Sequence, residues 1–341
     1  MKNNRFIVGL IIAIAAMGLI VFLHQQTSGP VADDEIGKLV FPDLKAKLNE
    51  INEVKLASND KTTTIDRKGN DWKIEEKAGY SADFAKLSAF LDGMAKATYL
   101  ERKTSKPGNF PVLGLSNIDD SSSKAVDVTV STRDGAQYEL LVGNDANGES
   151  GRFVRKPAES QAWLVDHIDK VPSDPVKWIE PVIMSVNADQ VTSIIDRSGD
   201  GKHVLSIKRD KDSGDLTIQN LPKGAQLNYT TIGNAPAEAL TNIRATDVRA
   251  RGEKPWKGAA TASYEFKDGS SLVVHAMQDS NGKDWLRFDL DLSKKPSEDI
   301  SYINVSRLRD FEFEVADYTY NQFTLKLSDM IRKQEKKNPA G

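Results

Sequence analysis

The amino-terminal stretch holds the sequence feature that most constrains how this chain can fold. An unbroken apolar run extends from Phe6 to Leu23. At a rise of ~1.5 Å per residue, a helix over this run would be roughly 27 Å long, which is close to the hydrocarbon thickness of a bilayer. The run therefore predicts a transmembrane anchor over residues 6–23, with everything after it folding on one side of a membrane.

The charges beside the run predict its orientation. Lys2 and Arg5 precede it, whereas the first acidic residues, Asp33 and Asp34, come after it. Because basic residues are enriched on the cytoplasmic side of membrane helices, residues 1–5 are expected in the cytoplasm and the bulk of the chain outside it. A cleaved signal peptide stays open as an alternative, although no A-x-A-type site follows Leu23.

Small residues within the apolar run form a stripe. Gly9, Ala13, Ala16 and Met17 are spaced so that they share one face of a helix. Such a stripe lets a second membrane helix approach closely, so these four residues are the predicted packing site for a partner helix. Small residues that occur by chance in an apolar run are the alternative interpretation.

The composition of the whole chain excludes several classes of function. Lysine and arginine number 46 against 49 aspartate and glutamate residues, with both signs interspersed, which argues against a nucleic acid partner. No cysteine is present, so disulfides, thiolate nucleophiles and cysteine-ligated metal centres are excluded. An apolar share of 39% in 341 residues is sufficient for one large or two medium folded domains.

Hydrophobic periodicity divides the rest of the chain into segments. Alternating runs predict strands at 54–57, 62–67, 72–75, 126–131, 137–142, 152–155 and 162–165. Helical spacing predicts a helix over 81–97, a second from Asn234 through Ile243 and a last one over 320–331. A proline-punctuated bridge at 171–181 marks the predicted domain boundary. The predicted organisation is a cytoplasmic tail 1–5, the anchor 6–23, a tether 24–36, a first lobe 37–175, a second lobe 176–335 and a frayed tail 336–341.

The order of these signals repeats after the bridge. Pairing Leu91 with Leu240 also aligns Met94 with Ile243. We interpret this as a degenerate internal duplication, with two unrelated segments as the alternative. The predicted fold class is α+β: one N-terminal transmembrane helix followed by two related lobes, each an antiparallel sheet with packed helices.

No stretch matches a pattern for catalysis or for cofactor or metal binding. The loop 143–150 has the glycine spacing of a phosphate-binding loop, but Glu149 stands where the lysine belongs. Asp210 begins an acidic stretch that lacks the distal glutamate of a calcium loop, so we interpret it as a hairpin turn. The histidines are isolated: His24, His167, His203 and His275. We assign no catalytic, cofactor-binding or metal-binding residues and expect a protein that is not an enzyme.

Several short motifs resemble those of one bacterial family: Phe41-Pro42-Asp43-Leu44, Asp71-Trp72-Lys73-Ile74, Leu113-Gly114-Leu115, Leu141-Val142-Gly143 before Arg152-Phe153-Val154-Arg155, and Ala316-Asp317-Tyr318. With the anchor, they are similar to a membrane-anchored domain of unknown function whose genes are often found beside gliding-motility-type ABC transporter genes. Leu113 and Ala316 depart from the usual residues, which suits a divergent member. The resemblance implies a protein of the bacterial inner membrane, single-pass, with its bulk in the periplasm near an ABC-type exporter. It brings no catalytic residues.

Two functional hypotheses follow. The first is a non-enzymatic, membrane-anchored periplasmic accessory or scaffold protein, associated with an ABC-type transport complex and contacting an ABC transporter permease. The second is a periplasmic glycan-binding or glycan-processing protein, because tryptophans can line a carbohydrate groove. The tryptophans are Trp72, Trp163, Trp178, Trp256 and Trp285. Exposed tryptophans beside carboxylates would favour the second hypothesis, whereas tryptophans used in packing would remove its main support.

Overall fold

The computed structural model describes residues 34–146 and 150–332, and most of its regular structure is strand. The predicted anchor 6–23, with its stripe Gly9, Ala13, Ala16 and Met17, lies outside the described residues. In chain order the strands are β1 (Ile51–Ala57), β2 (Thr62–Lys68), β3 (Asp71–Ile74), β4 (Tyr80–Ser81), β5 (Tyr99–Arg102), β6 (Val126–Thr132), β7 (Gln137–Asp145), β8 (Arg152–Arg155), β9 (Ala162–Val165), β10 (Val182–Met184), β11 (Val191–Arg197), β12 (Val204–Arg209), β13 (Leu216–Ile218), β14 (Ile243–Arg244), β15 (Asp247–Ala250), β16 (Ala260–Phe266), β17 (Ser271–Gln278), β18 (Asp284–Asp291) and β19 (Phe311–Glu314).

The α-helices are short, with one exception. In chain order they are α1 (Leu44–Lys47), α2 (Phe84–Lys96), α3 (Phe110–Leu113), α4 (Ala235–Glu238), α5 (Glu298–Ser301), α6 (Val305–Asp310), α7 (Asp317–Gln322) and α8 (Leu327–Met330). Helix α2, with 13 residues, is the longest in the described part of the chain. Single 3-10 turns connect many of the other elements, among them Pro175–Trp178.

Contacts divide the described chain into two compact units that alternate along the sequence. The smaller unit comprises 34–49, 90–125 and 138–170, and the larger comprises 50–89, 126–137 and 171–332. The lobe boundaries expected from the sequence, 37–175 and 176–335, stay a prediction.

In the smaller unit the strands pair antiparallel in the order β7, β8, β9, β5. Its core is a cluster of five buried residues: Phe110, Leu115, Ala125, Leu141 and Ala162. The chain turns after β9 at His167, whose φ of 56° is in the left-handed region. The preceding residue, Asp166, fixes this turn by accepting hydrogen bonds from the backbone N–H and the hydroxyl of Thr98, at 2.6 and 2.9 Å.

The larger unit contains two sets of strands. The first pairs antiparallel in the order β4, β3, β2, β1, β6, and its buried residues, such as Val54 and Ile65, alternate with exposed ones. The second is an eight-stranded antiparallel sheet in the order β13, β12, β11, β16, β17, β18, β19, β15. Its inner face is apolar, since Ile194, Tyr264 and Leu272 lie side by side and are at most 1% exposed.

Strand pairs β1–β6 and β11–β16 share an irregularity. The register of β1 against β6 shifts between Ile51 and Glu53, and that of β11 against β16 shifts between Val191 and Ser193. In each case the shift follows the first residue of the strand. A bulge of this kind bends a strand and increases its twist.

The bridge 171–181 is pinned to the first set of strands in the larger unit. The indole N–H of Trp178 donates to the carbonyl of Pro172 at 2.8 Å, and the carbonyl of Trp178 accepts from the backbone N–H of Asp83 at 2.8 Å. The hydroxyl of Tyr80 donates to the carbonyl of Glu180 at 3.1 Å. The ring of Tyr80 also packs edge-on against Phe311, with centroids 5.0 Å apart.

The predicted α+β fold class, with two related lobes that each carry packed helices, is wrong: the protein is mostly antiparallel sheet with few helices. The helix predicted from Asn234 through Ile243 ends at Glu238. Asn242 is not helical, with φ −163° and ψ 73°, and Ile243 pairs with Met184 as a strand. Apolar residues at helical spacing are buried here by the packing of short turns and strands rather than by one continuous helix.

The helix predicted over 320–331 is also interrupted. Helix α7 ends at Gln322, and the chain is extended at Lys326, with φ −114° and ψ 152°, before the single turn of α8. Phe323, which the helical pattern placed on an apolar face, lies in the segment that connects α7 to α8, and its side chain is fully buried.

The predicted membrane anchor and inner-membrane location are corrected as well. Over residues 34–146 and 150–332, no helix is long and apolar enough to cross a bilayer. A span needs about 20 apolar residues, whereas α2 has 13. The segment 6–23 on which the prediction was based lies outside the described residues.

Candidate functional site: a charged face and a pocket on one sheet

The outer face of the eight-stranded sheet gathers charged side chains from neighbouring strands. Glu312 on β19 is only 2% exposed, and its carboxylate accepts from Arg249 on β15 at 2.8 Å, from Arg287 on β18, and from the backbone N–H of Gly252 at 3.2 Å. Burial alone would raise the pKa of Glu312, but the hydrogen bonds from Arg287 and Arg249 outweigh it and lower that pKa. The carboxylate is therefore held ionised between two guanidinium groups.

A second carboxylate on the same face is paired in a similar way. Asp289, two residues after Arg287 on β18, accepts from Arg251 at 2.7 Å and lies 2.9 Å from the Nε2 atom of His275. Burial raises the pKa of Asp289, yet the hydrogen bonds from Arg251 and His275 lower it overall. Both carboxylates of this face are thus paired with basic side chains.

Tryptophan rings cover two of the arginines. The guanidinium carbon of Arg249 is 3.7 Å from the ring centroid of Trp285, and that of Arg287 is 4.7 Å from the ring centroid of Trp256. Such cation–π contacts hold the planar guanidinium in one orientation. We call this surface the charged face; it consists of Arg249, Arg251, Trp256, His275, Trp285, Arg287, Asp289 and Glu312.

A pocket opens at one end of the same sheet. Its volume is about 790 Å³, which is within the range of small-molecule sites. Ala260 on β16 and Ala276 on β17 line it with small side chains. The turn at 198–203, the loop at 257–258, the end of β17 at 277–278 and the stretch 320–329 contribute the other lining residues. We call this the sheet-end pocket.

Two glycines allow the wall of the sheet-end pocket to form. A Cβ atom added to Gly199 would lie 1.8 Å from the carbonyl oxygen of Gly258, so only glycine permits this approach of the two backbones. Gly258 itself has a φ of 75°, a conformation that other residues adopt only with strain. Both glycines line the pocket.

A buried carboxyl group lies next to this end of the sheet. Asp196 pairs with Ala262 on β16, and Ala262 lies two residues from the pocket-lining Ala260 on the same strand, so the two alanines share one face of the sheet. Asp196 is 4% exposed, and neither carboxylate oxygen has a hydrogen-bond partner within the described chain. Burial raises its pKa to about 7. Burial also raises the pKa of the neighbouring Tyr264 well above its ordinary value, and the charge of Asp196 adds to that effect.

The polar groups that line the sheet-end pocket are unequally satisfied. Asp200 accepts from the hydroxyl of Ser198 at 2.6 Å and from the backbone N–H of Lys202 at 3.1 Å, and Asp329 accepts from the backbone N–H of Lys326 at 3.0 Å. By contrast, the side chains of His203, Lys257 and Asn321 make no hydrogen bond to any described residue. The acids of the pocket are therefore already occupied, whereas several donors are not.

The structure disperses most residues that the sequence singled out. His203 reaches the sheet-end pocket and His275 the charged face, while His167 lies 3.0 Å from Asp166 in the smaller unit. Asp210 forms the predicted turn by accepting from the backbone N–H of Ser213 at 2.8 Å. The packing stripe Gly9, Ala13, Ala16 and Met17 lies outside the described residues.

The tryptophans mostly serve packing. Trp72, Trp163, Trp178 and Trp285 are at most 7% exposed. Trp256 is half-buried beneath Arg287. A row of exposed indole rings, which the glycan-binding hypothesis needs, is not formed by these five residues.

Asp196 and the sheet-end pocket were missed by the analysis of the sequence. A signal for Asp196 was present, because it follows Ile194 at a spacing of two and so falls on the apolar side of β11. The pocket had no such signal, since its lining comes from four distant stretches of the chain. Within the described residues, no group of three or more histidine, aspartate or glutamate side chains could hold a metal ion.

Comparisons with known proteins identify one family. The model of a domain of unknown function, DUF4340, matches residues 72–268, which is more than half of the 341 residues. No curated protein and no solved structure matches the chain. The matched range includes β11, which carries Asp196, and seven of the fifteen residues that line the sheet-end pocket. Because the match covers more than half of the chain, the chain belongs to the DUF4340 family.

Proposed function

We propose that this protein is a non-enzymatic accessory or scaffold protein of an ABC-type transport complex. The observation that carries the proposal is the charged face, where each carboxylate lies against two basic side chains. Glu312 is 2% exposed and Asp289 is held by Arg251 and His275. Carboxylates that are paired with basic side chains stabilise the surface on which they lie and are poorly placed to exchange protons with a substrate.

A pre-organised surface of this kind suits recognition of another protein. Arginine and tryptophan are enriched among the residues that dominate binding energy at interfaces. Arg249 is fixed both by the ring of Trp285 and by Glu312, so little conformational entropy remains to be lost on binding. Its side chain is nevertheless 42% exposed, which leaves it accessible to a partner.

The proposed partner is the permease of an ABC transporter. Support for it comes from the motifs that resemble a family often encoded beside gliding-motility-type ABC transporter genes, such as Asp71-Trp72-Lys73-Ile74. The matched domain extends from that motif to residue 268. Its description names no function, so the partner is argued from the resemblance and the charged face together.

The glycan-binding alternative has lost its main support. Sugar rings stack on exposed aromatic faces, but four of the five tryptophans are buried and Trp256 is stacked on Arg287. We therefore do not favour a carbohydrate groove.

The test is crosslinking in intact cells followed by purification of a C-terminally tagged chain and mass spectrometry. We expect an ABC transporter permease among the recovered proteins. Replacing Asp289 with lysine should reduce its recovery at least about fivefold, because reversal of a charge at an interface produces like-charge repulsion. The native chain and Asp289→Lys must first both be shown to unfold cooperatively.

Asp212→Lys is the matched control. Asp212 is an exposed aspartate in the turn after β12, away from the charged face, and the same change of charge there should leave recovery unchanged. Recovery of no ABC transporter component, or equal loss with both variants, would contradict the proposed function.

A further inference from the structure

The sheet-end pocket contains donors without acceptors. Lys257 and His203 line it with exposed basic side chains, and the amide of Asn321 points to no partner among the described residues. Tyr320 also lines it, and its hydroxyl is a further donor. An occupant that offers acceptor oxygens would satisfy these groups.

The acidic residues of the pocket do not supply acceptors for these donors. Asp200 is occupied by Ser198 and by the backbone of Lys202, and Asp329 by the backbone of Lys326. Asp196 does not line the pocket, and burial raises its pKa and so disfavours its ionised form. The ammonium group of Lys257 has no hydrogen-bond partner among the described residues, so an anionic oxygen that enters the pocket can accept from it without displacing a contact within the protein.

Space is available for more than an inorganic ion. The volume of about 790 Å³ exceeds what a phosphate or a carboxylate group alone would fill. The small side chains of Ala260 and Ala276, together with the contact between Gly199 and Gly258, keep that volume open. The hydroxyl of Tyr320 and the amide of Asn321 can hydrogen-bond to polar substituents of a ligand.

We propose that the sheet-end pocket binds a small, hydroxyl-bearing organic anion through Lys257, with His203 and Asn321 as further donors. The shared chemistry is an anionic oxygen group, either a carboxylate or a phosphate, on a polyhydroxylated carbon chain. Ammonium-to-oxyanion hydrogen bonds are stronger than neutral ones, so the anionic group contributes most of the recognition. The inference does not depend on the transport complex and goes beyond it.

The test compares three compounds that share most of their polyhydroxylated chain: gluconate, glucose 6-phosphate and neutral glucose, titrated into the full chain in a calorimeter. Because the basic side chains are exposed and therefore screened by salt, we expect a dissociation constant on the order of 1 mM for the anion that fits. Glucose should show no binding. Tighter binding of gluconate assigns a carboxylate ligand, and tighter binding of glucose 6-phosphate assigns a phosphate.

Two lysine variants locate the binding. Lys257→Gln should weaken binding of the preferred anion about tenfold, the loss of one charge-assisted hydrogen bond. Lys202→Gln removes the same charge from the adjoining turn, where Lys202 lies 3.8 Å from Asp200 and does not line the pocket, and should change binding less than twofold.

Any of three results would overturn the proposal: that neither anion binds at millimolar concentration, that glucose binds as tightly as the anions, or that Lys202→Gln weakens binding as much as Lys257→Gln does. Binding to a permease is measured separately, so failure here is distinct from failure of the proposed function.

Discussion

Asp196 lies directly opposite Ala262 on the neighbouring strand β16, and within the described chain neither of its carboxylate oxygens accepts a hydrogen bond. Its pKa of about 7 in the folded protein lies above the ~3.9 of an unfolded chain. Between these values the folded protein keeps a proton that the unfolded chain has lost. Stability therefore decreases as the pH rises from ~4 to about 7, by on the order of 4 kcal/mol in total.

Asp196→Asn should remove this dependence. We expect the variant to resemble the native chain in free energy of unfolding near pH 4 and to be more stable at pH 8, where the native carboxyl must ionise in the core. Urea denaturation at both pH values measures the difference. Asp212→Asn, at an exposed turn, is the control and should follow the native profile. An Asp196→Asn profile parallel to the native one would contradict the buried, unpaired carboxyl.

Glu312 holds two arginines, and its replacement should be costly. Glu312→Gln leaves Arg287, which is 4% exposed, without its ionised partner, so we expect a loss of about 3 to 5 kcal/mol in the free energy of unfolding. Glu314→Gln is the matched control on the same face of β19. Glu314 pairs at 2.7 Å with the half-exposed Lys283, and its loss should cost less than about 1 kcal/mol. Similar losses for the two variants would show that burial does not distinguish the pairs.

Gly93 lies in α2, where alanine normally stabilises a helix. Here a Cβ atom would lie 2.4 Å from the carbonyl oxygen of His167, so Gly93→Ala should destabilise the protein by about 1 to 3 kcal/mol. Gly108→Ala is the control, because nothing lies within 4 Å of its Cβ position, and it should be neutral or slightly stabilising. Thermal unfolding of both variants measures this contrast. A stabilised Gly93→Ala would place the turn at His167 farther from α2.

Local structure was largely predictable from the sequence where one period dominates. The strands Arg152–Arg155 and Ala162–Val165 lie where alternation and continuous apolar character place them, and α2 lies within the predicted 81–97. Short-range signals suffice there because the neighbouring side chains along the strand or helix define the buried face. The helices predicted at 234–243 and 320–331 were wrong because short turns, rather than one continuous helix, bury the apolar residues that recur there at helical spacing.

The candidate sites depend on contacts that no local pattern contains. Glu312 meets Arg249 across 63 positions of the chain, and Gly199 meets Gly258 through their backbones. The burial of Asp196 could have been predicted from its position two residues after Ile194. However, an acidic residue within an alternating run is usually assigned to the exposed side of the strand. Its burial depends on the small residue opposite, Ala262, which comes from a strand much later in the sequence.

The pinning of the bridge 171–181 has a consequence for the order in which a ribosome could complete this fold. Strand β4 and the start of α2 depend on Trp178 and Glu180, and Tyr80 packs on Phe311 near the end of the described chain. A nascent chain that has emerged only to residue 170 has made the early strands without the partners that cover them. The apolar faces of these strands therefore stay exposed to solvent until residue 311 has been synthesised. During that interval we expect the chain to depend most on a chaperone, because exposed apolar surface promotes aggregation.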